Sequence, residues 1–322
     1  MKHRIDRRHF LMAGSALLAG NAWAANAYPN RPLRFILPLG PGSSGDTLGR
    51  ALAEQLGSQL GQPVVVDNRG GAEGQLAMQA LLSAPADGYT FGLISPGIMA
   101  INPWVVKNLS YKTADVRPLA RIAAGITCVA TGASSCFTSL QDLLGTARKQ
   151  PDTVTLGSYG PSYRIPAIAL GRKAGANFRH VRYKGYNQLV TDLVGGVIDT
   201  ALIDAATTVG LVEAGKLRAL AVTARERFAR LPKVPTVMET GTAFDLQLWF
   251  GAGIHAQTPE PLARRLEQEF LDALGTQRIK DQVAAFGNMQ LLPLPGAAFA
   301  SEIAAESERN RALVAEIGGD DI

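Results

Sequence analysis

With 322 residues and a net charge of +5, the chain is long enough for two domains of ordinary size and is only mildly basic. Residues 1–27 carry four basic side chains and one acidic side chain, so the rest of the chain holds a net charge of +2. No cluster of basic residues is interleaved with aromatic residues, and a nucleic-acid partner is therefore not expected.

The first 27 residues have the pattern of an export signal. Arg7 and Arg8 precede an apolar segment that is too short to span a bilayer, and small-residue cleavage patterns follow at 22–24 and 25–27. The arginine pair resembles a twin-arginine signal, while an ordinary secretory signal with a chance arginine pair stays open. Either signal, cleaved near residues 24–27, predicts a soluble periplasmic protein, because no other long apolar run occurs.

A glycine-rich loop at 39–46 connects a predicted strand, 33–38, to a predicted helix, 47–60. Four leucines spaced four residues apart give this helix one apolar stripe for a core. Backbone N–H groups at a helix N-terminus attract anions. The loop ends in Gly45-Asp46 and lacks the Gly-Lys-Ser/Thr ending of a nucleotide-binding loop, so it predicts a site for a small anion.

Strand-like and helical patterns alternate along the rest of the chain. The interpretation places a buried strand at 64–66, a helix at 75–82, strands at 89–94 and 154–156, a helix at 139–149 capped by Ser139, a second glycine-bearing loop at 157–163, a helix from near Pro166 to Gly175, a helix at 186–194, strands at 198–203 and 217–222, and helices at 261–274, 277–286 and 299–317. This alternation predicts an α/β fold of parallel sheets with helices on both faces.

The loops at 39–46 and 157–163 are the two candidate binding elements. In α/β folds, ligands lie beyond the carboxyl ends of strands. Two such loops from two domains can therefore converge on one ligand in the cleft between the domains.

Neither a catalytic centre nor a metal site is indicated. The sequence contains no G-x-S-x-G or H-E-x-x-H pattern. His180 is interpreted as a structural residue of a short strand. Cys128 and Cys136 either form one disulfide or remain free, and without clustered histidines they do not make a zinc site. No cofactor is predicted, and an enzyme using Asp46 or His180 stays a minor alternative.

A series of short motifs resembles one known family over essentially the whole chain after the signal. The matching pieces are 28–33 (YPNRPL), 38–46, 61–69 (GQPVVVDNR), 87–90 (DGYT), 157–160, 180–185, 192–199, 215–223 (GKLRALAVT) and 231–236. Each is weak alone, but their order and spacing resemble the substrate-binding components of tripartite tricarboxylate transporters, also called the Bug family.

This resemblance implies a two-domain, type II periplasmic-binding-protein-like fold with an interdomain ligand cleft. It also implies that backbone amides, hydroxyls and ordered waters of the two loops hold a carboxylate. Asp46 matches the family's loop aspartate and could fix the turn, contact a ligand amino group or only cap the helix; Asp204 could face the cleft or only form a turn. The predicted ligand-binding residues are Leu39, Gly40, Pro41, Gly42, Ser43, Ser44, Asp46, Ser95, Ser158, Tyr159, Gly160, Ser162, Tyr163 and Asp204.

The chain departs from the family in both loops, at Leu39, Gly40, Ser43 and Ser44 in the first and at Tyr159, Ser162 and Pro166 in the second. Arg164 could pair with a second carboxylate of the ligand or lie solvated on the surface. Trp249 to Gly251 resembles a family segment at a domain crossover, where core packing is favoured over a hinge role.

The predicted protein is therefore a monomeric periplasmic receptor with domain 1 at 28–125 plus 244–322 and domain 2 at 126–243. It would pass a di- or tricarboxylate, an aromatic acid or an amino acid to the permease subunits of a tripartite tricarboxylate-type transporter. A sensor that presents its closed form to a signalling partner is the open alternative, because it would use the same pocket.

Overall fold

The computed structural model of the protein describes residues 28–41, 43–183, 185–286 and 289–317. The predicted export signal and Gly42 of the first loop lie outside these ranges. The strands are β1 (Leu33–Leu37), β2 (Val64–Asn68), β3 (Thr90–Ile94), β4 (Val116–Gly132), β5 (Thr155–Tyr159), β6 (Arg179–Tyr183), β7 (Thr200–Asp204), β8 (Leu217–Val222), β9 (Gln247–His255) and β10 (Met289–Pro295). The helices are α1 (Ser44–Leu60), α2 (Gln75–Leu82), α3 (Asn102–Val105), α4 (Leu140–Lys149), α5 (Gly160–Ala174), α6 (Tyr186–Val194), α7 (Ala205–Glu213), α8 (Glu260–Gly275), α9 (Gln277–Phe286) and α10 (Gly296–Ile317).

Two mixed sheets share the long strand β4. The first sheet has the order β2-β1-β3-β9-β4-β10, and the second has the order β8-β4-β7-β5-β6. The β1–β2, β1–β3, β5–β6 and β5–β7 pairs are parallel. Strand β4 is antiparallel to β7, β8, β9 and β10, and β3 is antiparallel to β9. The predicted parallel pairing is confirmed for the four parallel pairs, but the sheets are mixed. The antiparallel pairs all involve β4 or β9, which the sequence interpretation left unassigned.

Strand β4 carries the chain from one sheet to the other. Up to Ile126 its partner is β9, and from Thr127 onward its partner is β7. We call the part built on β1–β3, β9 and β10 lobe 1, and the part built on β5–β8 lobe 2. The change of partners supports the predicted domain boundary at 125/126, which stays a prediction.

Aromatic residues form the centre of lobe 1. The rings of Phe35 and Phe91 lie 5.0 Å apart, and Phe270 of α8 meets Phe91 edge-on at 5.3 Å. All three side chains are fully buried, and the α1 leucines pack against them in the same cluster. The predicted apolar stripe of α1 is therefore confirmed.

Lobe 2 has its own core between its sheet and its helices. Leu143 of α4, Leu156 of β5 and Leu202 of β7 belong to one buried cluster. Ser139 caps α4 as predicted, because its Oγ accepts a hydrogen bond from the backbone N–H of Asp142 at 3.1 Å.

Helix α5 begins earlier than predicted. Strand β5 runs to Tyr159 and the helix starts at Gly160, so the stretch 157–163 is not a loop. Gly160 has a φ of +62°, which glycine adopts without strain and which turns the strand directly into the helix. Pro161 occupies the first turn, whereas Pro166 lies inside the helix.

The strand at 64–66 is not buried on both sides. Strand β2 lies at the edge of the first sheet, and Val65 is 54% exposed. A run of three valines indicates a strand, but its place in the sheet decides which faces are covered.

The two cysteines are free. Cys128 is fully buried in β4, and burial raises the pKa of its thiol to about 12. Cys136 is exposed beyond the end of β4. The disulfide alternative is therefore not realised in this structure.

Candidate functional site

A cavity of about 660 Å³ lies between the two lobes. Its walls come from the carboxyl ends of β1 and β3 in lobe 1, from those of β5 and β7 in lobe 2, and from β9. This is the place where open α/β sheets bind ligands. The lining residues are Pro38, Leu39, Gly40, Pro41, Ser43, Ser95, Pro96, Tyr159, Ser162, Tyr163, Gly185, Tyr186, Asn187, Gln188, Asp204, Thr207, Leu248, Trp249 and Phe250.

Of the predicted ligand-binding residues, many meet at this cavity. Those that line it are Leu39, Gly40, Pro41, Ser43, Ser95, Tyr159, Ser162, Tyr163 and Asp204. Ser44 begins α1, and Asp46, Ser158 and Gly160 are not among the lining residues. Ser158 is 1% exposed, and its Oγ has no hydrogen-bond partner among the described residues.

The first loop is held by its own hydrogen bonds. The Oγ of Ser43 accepts from the backbone N–H of Asp46 at 3.2 Å and donates to the carbonyl oxygen of Gly40 at 3.0 Å. Ser43 is therefore the N-cap of α1, and the alternative that Asp46 caps this helix is wrong.

Asp46 and Asn68 fix the loop from behind. The Nδ2 of Asn68 donates to the Asp46 carboxylate at 2.8 Å and to the carbonyl oxygen of Leu39 at 3.0 Å. Arg50 donates from Nε to Asp46 at 3.1 Å and from Nη2 to Asn68 at 2.8 Å. Asp46 is only 3% exposed, so its charge needs hydrogen-bond partners, and Asn68 and Arg50 supply them. The bond from Asn68 to the Leu39 carbonyl holds Leu39 at the cavity wall.

Three tyrosines line the lobe 2 side. The rings of Tyr159 and Tyr163 stack with centroids 4.2 Å apart, and Tyr186 meets Tyr159 edge-on at 6.1 Å. Burial raises the pKa of all three phenols, so they are neutral at physiological pH. Tyr186 was missed by the sequence interpretation, although it directly follows the Tyr183–Gly185 motif.

Asp204 combines both roles that the sequence left open. It ends β7 and caps α7, because its Oδ1 accepts from the backbone N–H of Thr207 at 3.4 Å and its carbonyl oxygen accepts from the Thr208 hydroxyl at 2.6 Å. The same residue lines the cavity and is 9% exposed.

Strand β9 supplies aromatic residues that the sequence interpretation assigned to core packing. Trp249 and Phe250 both line the cavity. Trp249 is also anchored from behind, since its Nε1 donates to Glu306 at 2.7 Å and its ring meets Phe299 edge-on at 4.9 Å. The Trp249–Gly251 motif marked this segment in the sequence, but a sequence motif does not show which side chains of the strand line the cavity.

The lobes touch beside the cavity. A Cβ atom added to Gly97 would lie 2.6 Å from the Oγ of Ser162, which is shorter than the contacts that Cβ atoms make in proteins. Glycine at 97 therefore allows the turn after β3 in lobe 1 to approach the first turn of α5 in lobe 2.

No arginine, lysine or histidine is among the described lining residues. Arg164 is half-buried outside the lining, and burial, together with the nearby Arg182, lowers its pKa. His180 lies in β6, as predicted, with its ring 6.5 Å from Phe178. Within 28–41, 43–183, 185–286 and 289–317, no group of three or more potential protein ligands could hold a metal ion.

None of the helices in the described ranges is both long and apolar enough to cross a membrane.

Comparison with known proteins agrees with the fold. The sequence model of the family described as the tripartite tricarboxylate transporter family receptor (TctC) matches residues 48–318. Protein BugT of Bordetella pertussis is 30% identical, over 92% of this chain and 92% of BugT.

Two solved structures have the same architecture. The R. palustris protein Rpa4515 with adipate superposes with a TM-score of 0.81 at 28% identity, covering 89% of this chain and 97% of that one. A TctC solute-binding protein from Polaromonas gives 0.73 at 25% identity, covering 90% and 100%. The predicted family and two-domain fold are confirmed: the chain belongs to the TctC family of tripartite tricarboxylate transporter receptors, whose members are periplasmic solute-binding proteins.

Proposed function

We propose that this protein captures a small carboxylate-containing solute between its two lobes in the periplasm and delivers it to the membrane subunits of a tripartite tricarboxylate-type transporter. The observation that carries the proposal is the shared cavity, because both lobes contribute strand ends and helix starts to its wall. A ligand that contacts both walls stabilises the closed arrangement of the lobes.

A carboxylate fits the backbone at this wall. Helices α1 and α5 both begin there, with their N-cap residues Ser43 and Tyr159 lining the cavity. The first N–H groups of a helix have no partner inside the helix and carry partial positive charge. The described lining has no cationic side chain, so the amides of these two helix starts would carry the recognition of the carboxylate.

The same lining supports binding over catalysis. The phenols are neutral, and the described lining offers no histidine, lysine or cysteine that could act with Asp204 as an acid–base or nucleophilic pair. Asp46 is engaged in the loop network, and His180 lies outside the lining. We therefore assign no enzymatic activity to the protein.

The binding proposal is tested by thermal unfolding of the purified protein with mono-, di- and tricarboxylates, aromatic acids and amino acids. The amide of each acid serves as its control, since it keeps the shape and removes the charge. A binder should raise the midpoint of unfolding in a concentration-dependent manner, and its amide should not. A flat response to every acid, in protein shown by mass spectrometry to hold no ligand, would contradict the proposal.

Delivery to a transporter is a separate step with a separate test. Cells that lack this protein should lose uptake of the radiolabelled acid identified above, and re-expression should restore it. If cells without the protein take up the acid at an unchanged rate, although the purified protein binds it, the protein would be a receptor with a different partner. We also propose that the protein works as a monomer, with domain 1 at 28–125 plus 244–322 and domain 2 at 126–243.

A further inference from the structure

Aromatic side chains from both lobes border the cavity. Lobe 1 supplies Trp249 and Phe250 from β9, and lobe 2 supplies Tyr159, Tyr163 and Tyr186. Ligand cavities are commonly lined by apolar and aromatic side chains, with a few polar groups that fix the orientation of the ligand. A ligand that fills this cavity therefore meets aromatic rings of both lobes.

The tyrosines of α5 lie beside the place proposed for the carboxylate. Tyr159 is the N-cap of α5, and Tyr163 follows four residues later, so both side chains leave the helix on one side. Their rings stack with centroids 4.2 Å apart, and Tyr186 meets Tyr159 edge-on at 6.1 Å. An acid whose carboxylate binds the first N–H groups of α5 therefore brings its next atoms against these rings.

Strand β9 gives the cavity an apolar wall in lobe 1. The indole N–H of Trp249 donates to Glu306 at 2.7 Å, and this N–H is the only polar group of the side chain. Trp249 therefore offers the cavity the apolar surface of its ring. Its neighbours Leu248 and Phe250 also line the cavity and have no polar side-chain atom. This wall suits an apolar group of the ligand.

Aromatic walls favour an aromatic group over a saturated one. Two aromatic rings in an offset-stacked or edge-to-face arrangement attract each other beyond the effect of burying apolar area. A cyclohexyl ring carries more hydrogens than a phenyl ring and has the larger apolar surface, so burial alone would favour the saturated acid. Because the two effects act in opposite directions, matched phenyl and cyclohexyl acids separate them.

We propose that the solute is an aromatic carboxylate, whose ring binds between the tyrosines of lobe 2 and the Trp249–Phe250 wall of lobe 1. This inference rests on the proposed function, because it assigns the part of the ligand that lies beyond the carboxylate held by the helix starts.

The test compares acids that differ only in their ring. Calorimetric titration of the purified protein uses benzoate, phenylacetate and 3-phenylpropanoate, each paired with the cyclohexyl acid of the same carbon skeleton. Straight-chain mono- and dicarboxylates of the same carbon number complete the panel. We expect the tightest aromatic acid to bind about tenfold or more strongly than its cyclohexyl partner and than the straight-chain acids.

One variant in each lobe tests whether the rings cause the preference. Tyr163→Leu and Phe250→Leu each keep an apolar side chain in the wall and remove one ring. Each should lower the ratio of aromatic to cyclohexyl affinity by roughly threefold or more. Trp104→Leu removes a ring of lobe 1 outside the cavity lining and should leave the ratio unchanged. Circular dichroism shows whether each variant folds, and if one does not, the variant of the other lobe supplies the result.

The outcomes distinguish the two proposals. Cyclohexyl or straight-chain acids that bind as tightly as the aromatic acids would overturn the aromatic site and leave the carboxylate receptor standing. An aromatic preference that survives unchanged in the folded ring variants would do the same. Failure of every acid to bind to ligand-free protein would overturn both proposals.

Discussion

The hydrogen bonds of Asn68 behind the first loop allow the loss of stability in an Asn68 variant to be predicted. Replacing Asn68 with alanine removes the hydrogen bonds to Asp46 (2.8 Å) and to Leu39 (3.0 Å) together with the contact from Arg50. A hydrogen bond to a buried charge contributes roughly 1.5–3 kcal/mol and a neutral one about 1 kcal/mol. Asn68→Ala should therefore lower the free energy of unfolding by about 3 kcal/mol.

Urea unfolding followed by circular dichroism measures this change. Asn108→Ala, an exposed turn residue of the same lobe, is the matched control and should stay within about 0.5 kcal/mol of the parent. Asn68→Asp should be worse than Asn68→Ala at pH 7, because it places a second carboxylate beside Asp46. The reasoning is refuted if Asn68→Ala behaves like Asn108→Ala, or if the aspartate variant is no worse than the alanine variant.

Further predictions concern the lobe contact, the thiols and the tryptophan wall. Gly97→Val should hold the lobes apart at Ser162, which small-angle scattering would detect as a larger radius of gyration together with weaker carboxylate binding; unchanged values would rule out this contact as a limit on closure. A thiol reagent should label only Cys136 in the folded protein and also Cys128 in denaturant, because the latter is buried with a raised pKa; two fast-reacting native thiols would contradict this. Burial raises the pKa of Glu306, so its contribution to stability is present below the pKa of the unfolded chain and is lost as the pH rises through the folded pKa. Glu306→Gln should therefore gain stability over the parent as the pH rises above the ordinary glutamate pKa of about 4.3, measured by urea unfolding at each pH, and parallel pH curves for the two proteins would disprove it.

Local patterns determined much of the secondary structure. Helix α1 carries four evenly spaced leucines, and the helices at Gln75–Leu82, Tyr186–Val194 and Gln277–Phe286 have the predicted bounds. Caps such as Ser139 act through neighbouring backbone groups only. These features depend on residues a few positions apart, and the sequence displays them directly.

Strand pairing was determined at longer range. Strand β4 changes partner between Ile126 and Thr127, and nothing in its run of small apolar residues marks that change. The start of α5 was predicted too late, near Pro166. Pro161 occupies the first turn instead, because Gly160 with its positive φ turns the strand directly into the helix.

The sequence by itself determined the family motifs, the leucine stripe of α1 and the cap of α4 by Ser139, because each is a property of residues close together in the chain. Only the tertiary structure decided that Asp46 braces the first loop while Asp204 faces the cavity, and that Trp249 and Tyr186 complete its wall. The physical reason is that a carboxylate or an aromatic ring has the same local propensity in either place. Its role depends on partners such as Asn68, which lies 22 positions from Asp46 and meets it only when β2 pairs with β1.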